Sequence, residues 1–232
     1  LAIEWIFFDV GDVLFDEDPP HLLFYHSVFE ALRLNKIEVS WDDFRRAIEA
    51  SLRTVPDTAI PAATRVVVGD DALADKIYHE GRQTYERIRE PRPYGILVNG
   101  MEPVLRCLRS QFRLGVIANQ HPPVLEALKY YGIAPLFDVI GIDQLVGLSK
   151  PDPAFFAWGL KQAGCTGEQA IFVGDRPDND VAPARSVGMK TVRLRRGIHY
   201  SLYDPRSPQE VADIEIRNVA EIEPAVMALA RG

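Results

Sequence analysis

Four side chains stand where their neighbours in sequence make chemistry plausible: Asp9, Lys150, Asp175 and Asp180. Asp9 follows the apolar run Ile3-Glu4-Trp5-Ile6-Phe7-Phe8 and precedes the turn-like Val10-Gly11-Asp12. An apolar run bounded by a turn signal reads as a buried strand, so the carboxylate arrives at the C-terminal strand end, the edge where open α/β sheets bind ligands. A carboxylate there can ligate a metal, attack as a nucleophile, or simply cap its own turn. Asp175 follows a second apolar run, Ala170-Ile171-Phe172-Val173-Gly174, and Asp180 comes five residues on, across a turn into a helix. One of the two can face the strand-end site while the other braces it, although an acid in a helix's first turn is also good dipole chemistry. Carboxylates that converge repel one another unless a cation is present, and hard oxygens completed by substrate and water suit Mg²⁺. Lys150, in Ser149-Lys150-Pro151-Asp152-Pro153, supplies a positive charge just before a helix start, where an ordinary surface lysine is the plain alternative.

The elements that must position these groups alternate. A strand at Arg113–Ala118 follows a helix over 101–110. Pro122 and Pro123 open a helix through Tyr131, closed by Gly132, and a short strand lies near Phe137–Ile140. Asp152 caps and Pro153 begins a helix to Ala163, closed by Gly164. Strand 170–173 is followed by a helix over 178–187, a strand over 190–194 and a last helix over 221–230. Strands separated by single-helix crossovers predict a parallel sheet covered on both faces. Between His21 and Arg89 the pattern is helical instead, with Ser40 and Asp43 marking a helix start. Val55–Pro61 reads as a break and Arg65-Val66-Val67-Val68 as a strand-like interruption. Glu90–Gly95 has linker composition. The expected domains are a core of residues 1–15 and 93–232 and an insert of residues 16–92.

Apolar residues make up 47% of the 232, enough for a well-buried core. The formal charge of −7 argues against non-specific nucleic-acid binding. Arg193, Arg195 and Arg196 therefore read as a solvated strand-end face. Cys107 and Cys165 suggest neither a zinc set nor a disulfide framework, so a reducing, cytoplasmic setting is expected. No apolar run has the length of a membrane span, and the opening run is too short, and with Glu4 too polar, for a secretory leader. The chain begins at Leu1 rather than Met, so residues are expected to precede it.

Four marks occur in order: Asp9 ending the first strand, Val116-Ile117-Ala118-Asn119, Lys150-Pro151, and Gly174-Asp175 with Asp180 behind it. Together they resemble the haloacid dehalogenase superfamily of hydrolases, through most of residues 3–17 and 93–200. The resemblance implies a three-layer α/β/α Rossmann-like core with a parallel sheet, and a mainly helical cap domain formed by the insert. It implies that Asp9 attacks phosphorus and forms an aspartyl-phosphate. It further implies that Mg²⁺ is held by Asp9, Asp175 and the Gly11 carbonyl oxygen with Asp180 steadying the metal shell or the lysine, and that Lys150 contacts the phosphoryl group. The expected partner is a small phosphorylated substrate, with no nucleic acid or membrane, and the chain a monomer or homodimer.

Two departures temper this. The family's phosphatases place a second Asp two residues after the nucleophile as general acid and base; here that residue is Gly11, and Asp12, one residue late, would point to the opposite face of an extended strand. The second motif ends in Ala118 where Ser or Thr is usual, and Asn119 is the candidate to donate to the phosphoryl group instead. Losing a positioned acid costs roughly a hundred- to ten-thousand-fold, least for good leaving groups. Rival readings are a non-catalytic binding protein on the same fold, a haloacid dehalogenase and, more remotely, a phospho-acceptor receiver. A phosphomutase, which needs the missing acid, is discounted. His121, before two prolines, is read as a turn residue rather than a catalyst.

Overall fold

A computed structural model describes residues 2–89 and 95–231; the linker expected at Glu90–Gly95 lies, except for Gly95, outside them. Strand β1 (Trp5–Phe8) is followed by β2 (Phe15–Asp16) and by four helices, α1 (Asp18–Leu34), α2 (Trp41–Leu52), α3 (Ala59–Val68) and α4 (Asp71–Ile88). The chain continues through β3 (Ile96–Leu97), α5 (Met101–Arg109), β4 (Arg113–Ala118), α6 (Val124–Tyr130), β5 (Val139–Ile142), α7 (Asp143–Val146) and α8 (Pro153–Ala163). It ends with β6 (Ala170–Gly174), α9 (Ala182–Ser186), β7 (Lys190–Leu194), β8 (Ile214–Ile216) and α10 (Ile222–Arg231). No helix among the described residues is long and apolar enough to cross a membrane.

The described residues divide into two compact units, one of residues 2–16, 95–196 and 205–231, the other of 17–89 and 197–204. The first is built on a six-stranded parallel sheet in the order β5-β4-β1-β6-β7-β8. Alternation along β1 sends Ile6 and Phe8 to one face, among Met101, Leu105 and Leu108 of α5 and Val226 of α10. Trp5 and Phe7 go to the other, among Phe155 and Phe156 of α8 and Ala184 of α9. Both faces are thus covered, as the near-continuous apolar strands demand. From β1 the chain order runs outward through β4 and β5 on one side and through β6, β7 and β8 on the other. That makes the β1–β6 boundary the switch point at which such sheets bind ligands. The short β2 and β3 pair antiparallel in a separate two-stranded ribbon.

The second unit is helical and has its own core, including Val28, Leu32, Phe44, Ile48, Leu52, Ile60 and Ile77. Ser40 caps α2 by accepting from the Asp43 N–H at 3.1 Å. A Cβ at Gly81 would lie 2.6 Å from the Val28 Cα, so glycine lets α4 approach α1 backbone to backbone. The expected strand at Arg65–Val68 is instead the last turn of α3, closed by Gly69 in the left-handed conformation. Valine's strand preference is weak beside the burial of Ile60, Ala63 and Thr64 on the same helix. Pro61 is accommodated because it lies in the first turn of α3, where its missing N–H has no helical partner to lose. Residues 197–204, assigned to the core by sequence, belong with this unit: Ile198 and Leu202 pack on its apolar cluster.

Candidate active site

Asp9 leaves β1 with its N–H donated to the Val173 carbonyl oxygen at 2.9 Å, which carries the β1–β6 pairing up to the residue itself. Asp175 leaves β6 one residue after Gly174. The two acids that end neighbouring strands are therefore brought together by register alone. The following helix, expected to run uninterrupted from 178, begins instead as a wide π-type turn over Pro177–Val181 before α9. Asp180 is fully buried there, and its Oδ2 accepts from the main-chain N–H groups of Asp175 at 3.1 Å and Arg176 at 3.0 Å. A Cβ on Gly174 would lie 2.6 Å from the Asp180 carboxylate, so the close fold-back of this turn requires glycine at the strand end.

Lys150 enters from the loop before α8 and is almost wholly buried. Its Nζ donates to Asp180 Oδ1 and pairs with Asp9 Oδ1, both at 2.6 Å, and lies 5.9 Å from the centre of the Phe172 ring. Asn119, expected to donate to a phosphoryl group, is committed elsewhere. Its Oδ1 accepts from the Lys150 N–H and its Nδ2 donates to the Lys150 carbonyl, both at 2.8 Å. It anchors the lysine's main chain, because strand β4 ends beside that loop and a paired amide satisfies both main-chain groups. Asp180 accepts from three donors, Lys150 Nζ and the main-chain N–H groups of Asp175 and Arg176, and so braces both the lysine and the Asp175 turn.

One oxygen each of Asp9, Asp175 and Asp180 lie within 4.8 Å of one another, all three side chains buried. Burial pushes the Asp9 carboxyl up to about 6, with Lys150 opposing and Asp180 adding to the rise. Burial, then Asp180, Asp9 and Asp12, hold Asp175 well above the usual carboxylate range. For Lys150, burial works against the charge, but Asp180 and Asp9 outweigh it and raise its pKa. Two acids that resist ionising beside a lysine that resists neutralising describe a site short of positive charge. Oxygen donors in that condition fit a hard divalent cation.

Gly11 sits at the expected position of the second acid and presents no side chain. Asp12 does not follow an extended strand, since it adopts φ 53°, and it is buried. Arg196 Nη1 lies 3.7 Å from Asp12 Oδ1 and donates to the Asp12 carbonyl at 3.2 Å, while its Nη2 lies 3.5 Å from Asp16 Oδ2. His121 is exposed, its Nδ1 2.7 Å from Gln144 Nε2. Sequence reasoning missed Arg193, which is fully buried rather than part of a solvated face. Its Nε donates to the Asp175 carbonyl oxygen at 2.9 Å. The signal was present: a charged residue inside a parallel strand covered on both faces has to be buried and paired.

A glyceraldehyde 3-phosphate phosphatase from Methanocaldococcus jannaschii is 35% identical over 149 residues, 60% of this chain and 64% of that protein. One of the same name from Methanopyrus kandleri is 33% identical, over 69% of this chain and 65% of the relative. A phosphoserine phosphatase from Thermus thermophilus is 30% identical, over 58% and 52%. The chain thus spans somewhat less than two thirds of the length of these relatives. In fold it is similar to a haloacid dehalogenase-superfamily hydrolase from Geobacter sulfurreducens, with a TM-score of 0.64, 20% identity and 97% of each chain covered. It is also similar to a 2-haloacid dehalogenase from Pseudomonas syringae, with a TM-score of 0.58, 24% identity and coverage of 97% and 98%. A family model of haloacid dehalogenase-like hydrolases matches residues 3–188, which spans every residue of the Asp9, Lys150, Asp175 and Asp180 constellation, and the chain belongs to that family.

Proposed function

We propose that this chain is a Mg²⁺-dependent phosphatase of a small phosphorylated metabolite, working through an aspartyl-phosphate on Asp9. The observation that carries the reading is the buried constellation in which Asp9 meets both Lys150 Nζ and the Asp175–Asp180 pair. An Asp9 oxygen attacks phosphorus, the ester P–O bond breaks, and the alkoxide departs with the bonding electrons and takes a proton from water to become the alcohol. Water then attacks phosphorus of the acyl phosphate and releases inorganic phosphate, regenerating the Asp9 carboxylate. Lys150 has three N–H donors, two of which face Asp9 and Asp180; the third is available for a phosphoryl oxygen, and its charge favours the ionised nucleophile. Asp180 and Asn119 keep the lysine from swinging away. Asp9, Asp175 and the Gly11 carbonyl would hold Mg²⁺, which when bound supplies charge neutralisation for the phosphoryl oxygens.

The phosphatase names of the relatives support the reaction class. Gly11 and Ala118 favour the second reading, a binding protein that keeps the fold and the cation without turnover. Steady-state hydrolysis of p-nitrophenyl phosphate separates them. The phosphatase reading expects turnover that needs Mg²⁺ and disappears in Asp9→Asn, whereas the binding reading expects none on any phosphate ester. Halide release from a 2-haloacid that survives chelation would point instead to dehalogenase chemistry.

A further inference from the structure

We infer that Arg193 is a positioning residue for the metal-binding carboxylate of Asp175, acting through the main chain of Asp175 itself; the inference rests on the metal reading above. Arg193 lies on β7 in register with Gly174 of β6 and with Glu215 of β8. Its neighbours Val192 and Leu194 join the apolar face that holds α5 and α10, so alternation sends Arg193 to the opposite face. No part of it is exposed. A guanidinium removed from water in a sheet interior is costly unless its donors are used. Here Nε donates to the Asp175 carbonyl oxygen at 2.9 Å and Nη1 to Glu215 Oε2 at 3.1 Å, while Glu215 also faces Arg195 at 3.5 Å.

The carbonyl it takes belongs to the residue at which the chain leaves the sheet, past the last β6–β7 register pair, Gly174↔Arg193. The peptide joining Asp175 to Arg176 is held on its N–H side by Asp180 Oδ2 and on its carbonyl side by Arg193 Nε. The peptide joining Gly174 to Asp175 is held through the Asp175 N–H by the same Asp180 oxygen. Both peptide planes flanking the Asp175 Cα are therefore pinned, and with them the direction in which its carboxylate leaves the backbone. Asp180 supplies two of these three restraints and Arg193 the third. Arg193 acts from behind the strand end without needing to touch the substrate.

Binding of Mn²⁺ to the full chain, followed by loss of the free-ion electron paramagnetic resonance signal, tests this independently of turnover. Outer partners of metal ligands typically change affinity ~10–100-fold, so Arg193→Met is expected to weaken Mn²⁺ by about that factor per folded molecule and to broaden the bound-ion spectrum. Arg193→Lys, which keeps one donor for the carbonyl, is expected between the two. Glu215→Gln, which loosens the guanidinium without removing it, is expected to cost severalfold. Unfolding of the metal-free variants is measured alongside. A merely structural role lowers the metal-free midpoint and leaves Mn²⁺ affinity at the wild-type value, which overturns the proposal. Should Arg193→Met fail to fold, wild-type affinity in both Arg193→Lys and Glu215→Gln overturns it equally. Absence of Mn²⁺ binding by the wild-type chain would instead sink the metal reading itself, and this inference with it.

Discussion

The proposed mechanism asks Asp9 to attack as an ionised carboxylate in a place where burial favours its neutral form, and that conflict has a measurable signature. Its carboxyl stands at about 6 in the folded chain against an ordinary 3.8. Between those values the unfolded chain releases its proton first, so the folded state loses stability as pH rises through the window and does not recover it above. Below pH 3.8 the cost is absent. A shift of two pKa units corresponds to about 3 kcal/mol at full extent. In the presence of a chelator, Asp9→Asn is expected to stabilise the protein by up to about that amount at pH 8 and by little at pH 4. Urea unfolding at the two pH values checks it, and an equal effect at both would refute the account. Gly11 makes a second claim at this scale. Restoring a carboxylate by Gly11→Asp is expected to raise turnover of alkyl phosphates more than that of p-nitrophenyl phosphate, because only the former leave as poorly stabilised alkoxides. Equal gains on the two substrates would reject leaving-group protonation as the missing step.

The strand-end turn Gly174–Asp180 converts sheet register into site geometry, and it fails in a predictable way. In Gly174→Ala the new methyl meets an Asp180 carboxylate that is already held by Lys150 and two main-chain N–H groups and has little freedom to yield. Overpacking of this kind costs roughly 1–3 kcal/mol. Here it should also displace Asp180 from Lys150, so kcat is expected to fall by more than the fraction of protein unfolded at the assay temperature. Comparing kcat with the unfolding midpoint of the same variant tests this, and a fall that merely follows unfolding would mean the turn tolerates the shift. Sequence pattern located this turn because Ala170–Val173 is continuously apolar and ends in Gly-Asp. It read 178–187 as one helix, because a π-type first turn and an α-helix share the same local composition. It passed over β8, since three residues with a single buried side chain, Ile216, offer no period to detect. Asn119 was legible as a polar residue at a strand end, but its partner, 31 residues on, was not. Which main-chain groups a loop leaves unpaired is decided only by the fold.

At the scale of the whole chain, a parallel sheet covered on both faces followed from the alternation of patterns, whereas the membership of residues 197–204 did not. That stretch has no periodicity, and its contacts reach far back in sequence. His199 is buried, its Nε2 donates to the Pro56 carbonyl at 3.1 Å, and its Nδ1 lies 2.5 Å from the Tyr25 hydroxyl. A carbonyl oxygen can only accept, so Nε2 carries a proton, and Nδ1 and the Tyr25 hydroxyl share the second hydrogen bond. The His21 ring stacks on it at 4.4 Å between centroids. Residue 199 is thus tied to three positions spread over α1 and the segment before α3, so the helical unit is closed by a piece of chain that arrives after β7. Two substitutions separate the parts of that closure. His199→Phe keeps an aromatic ring for stacking but abandons two buried hydrogen-bonding groups, and is expected to cost about 1–3 kcal/mol. His199→Ala removes the stack as well and should cost more, roughly 3–5 kcal/mol. Chemical denaturation gives both values, and near-ultraviolet circular dichroism reports whether the aromatic cluster loosens below the main transition. If both variants unfold at the wild-type midpoint, the segment is only laid against the helices, and the unit formed by residues 17–89 is stable without it.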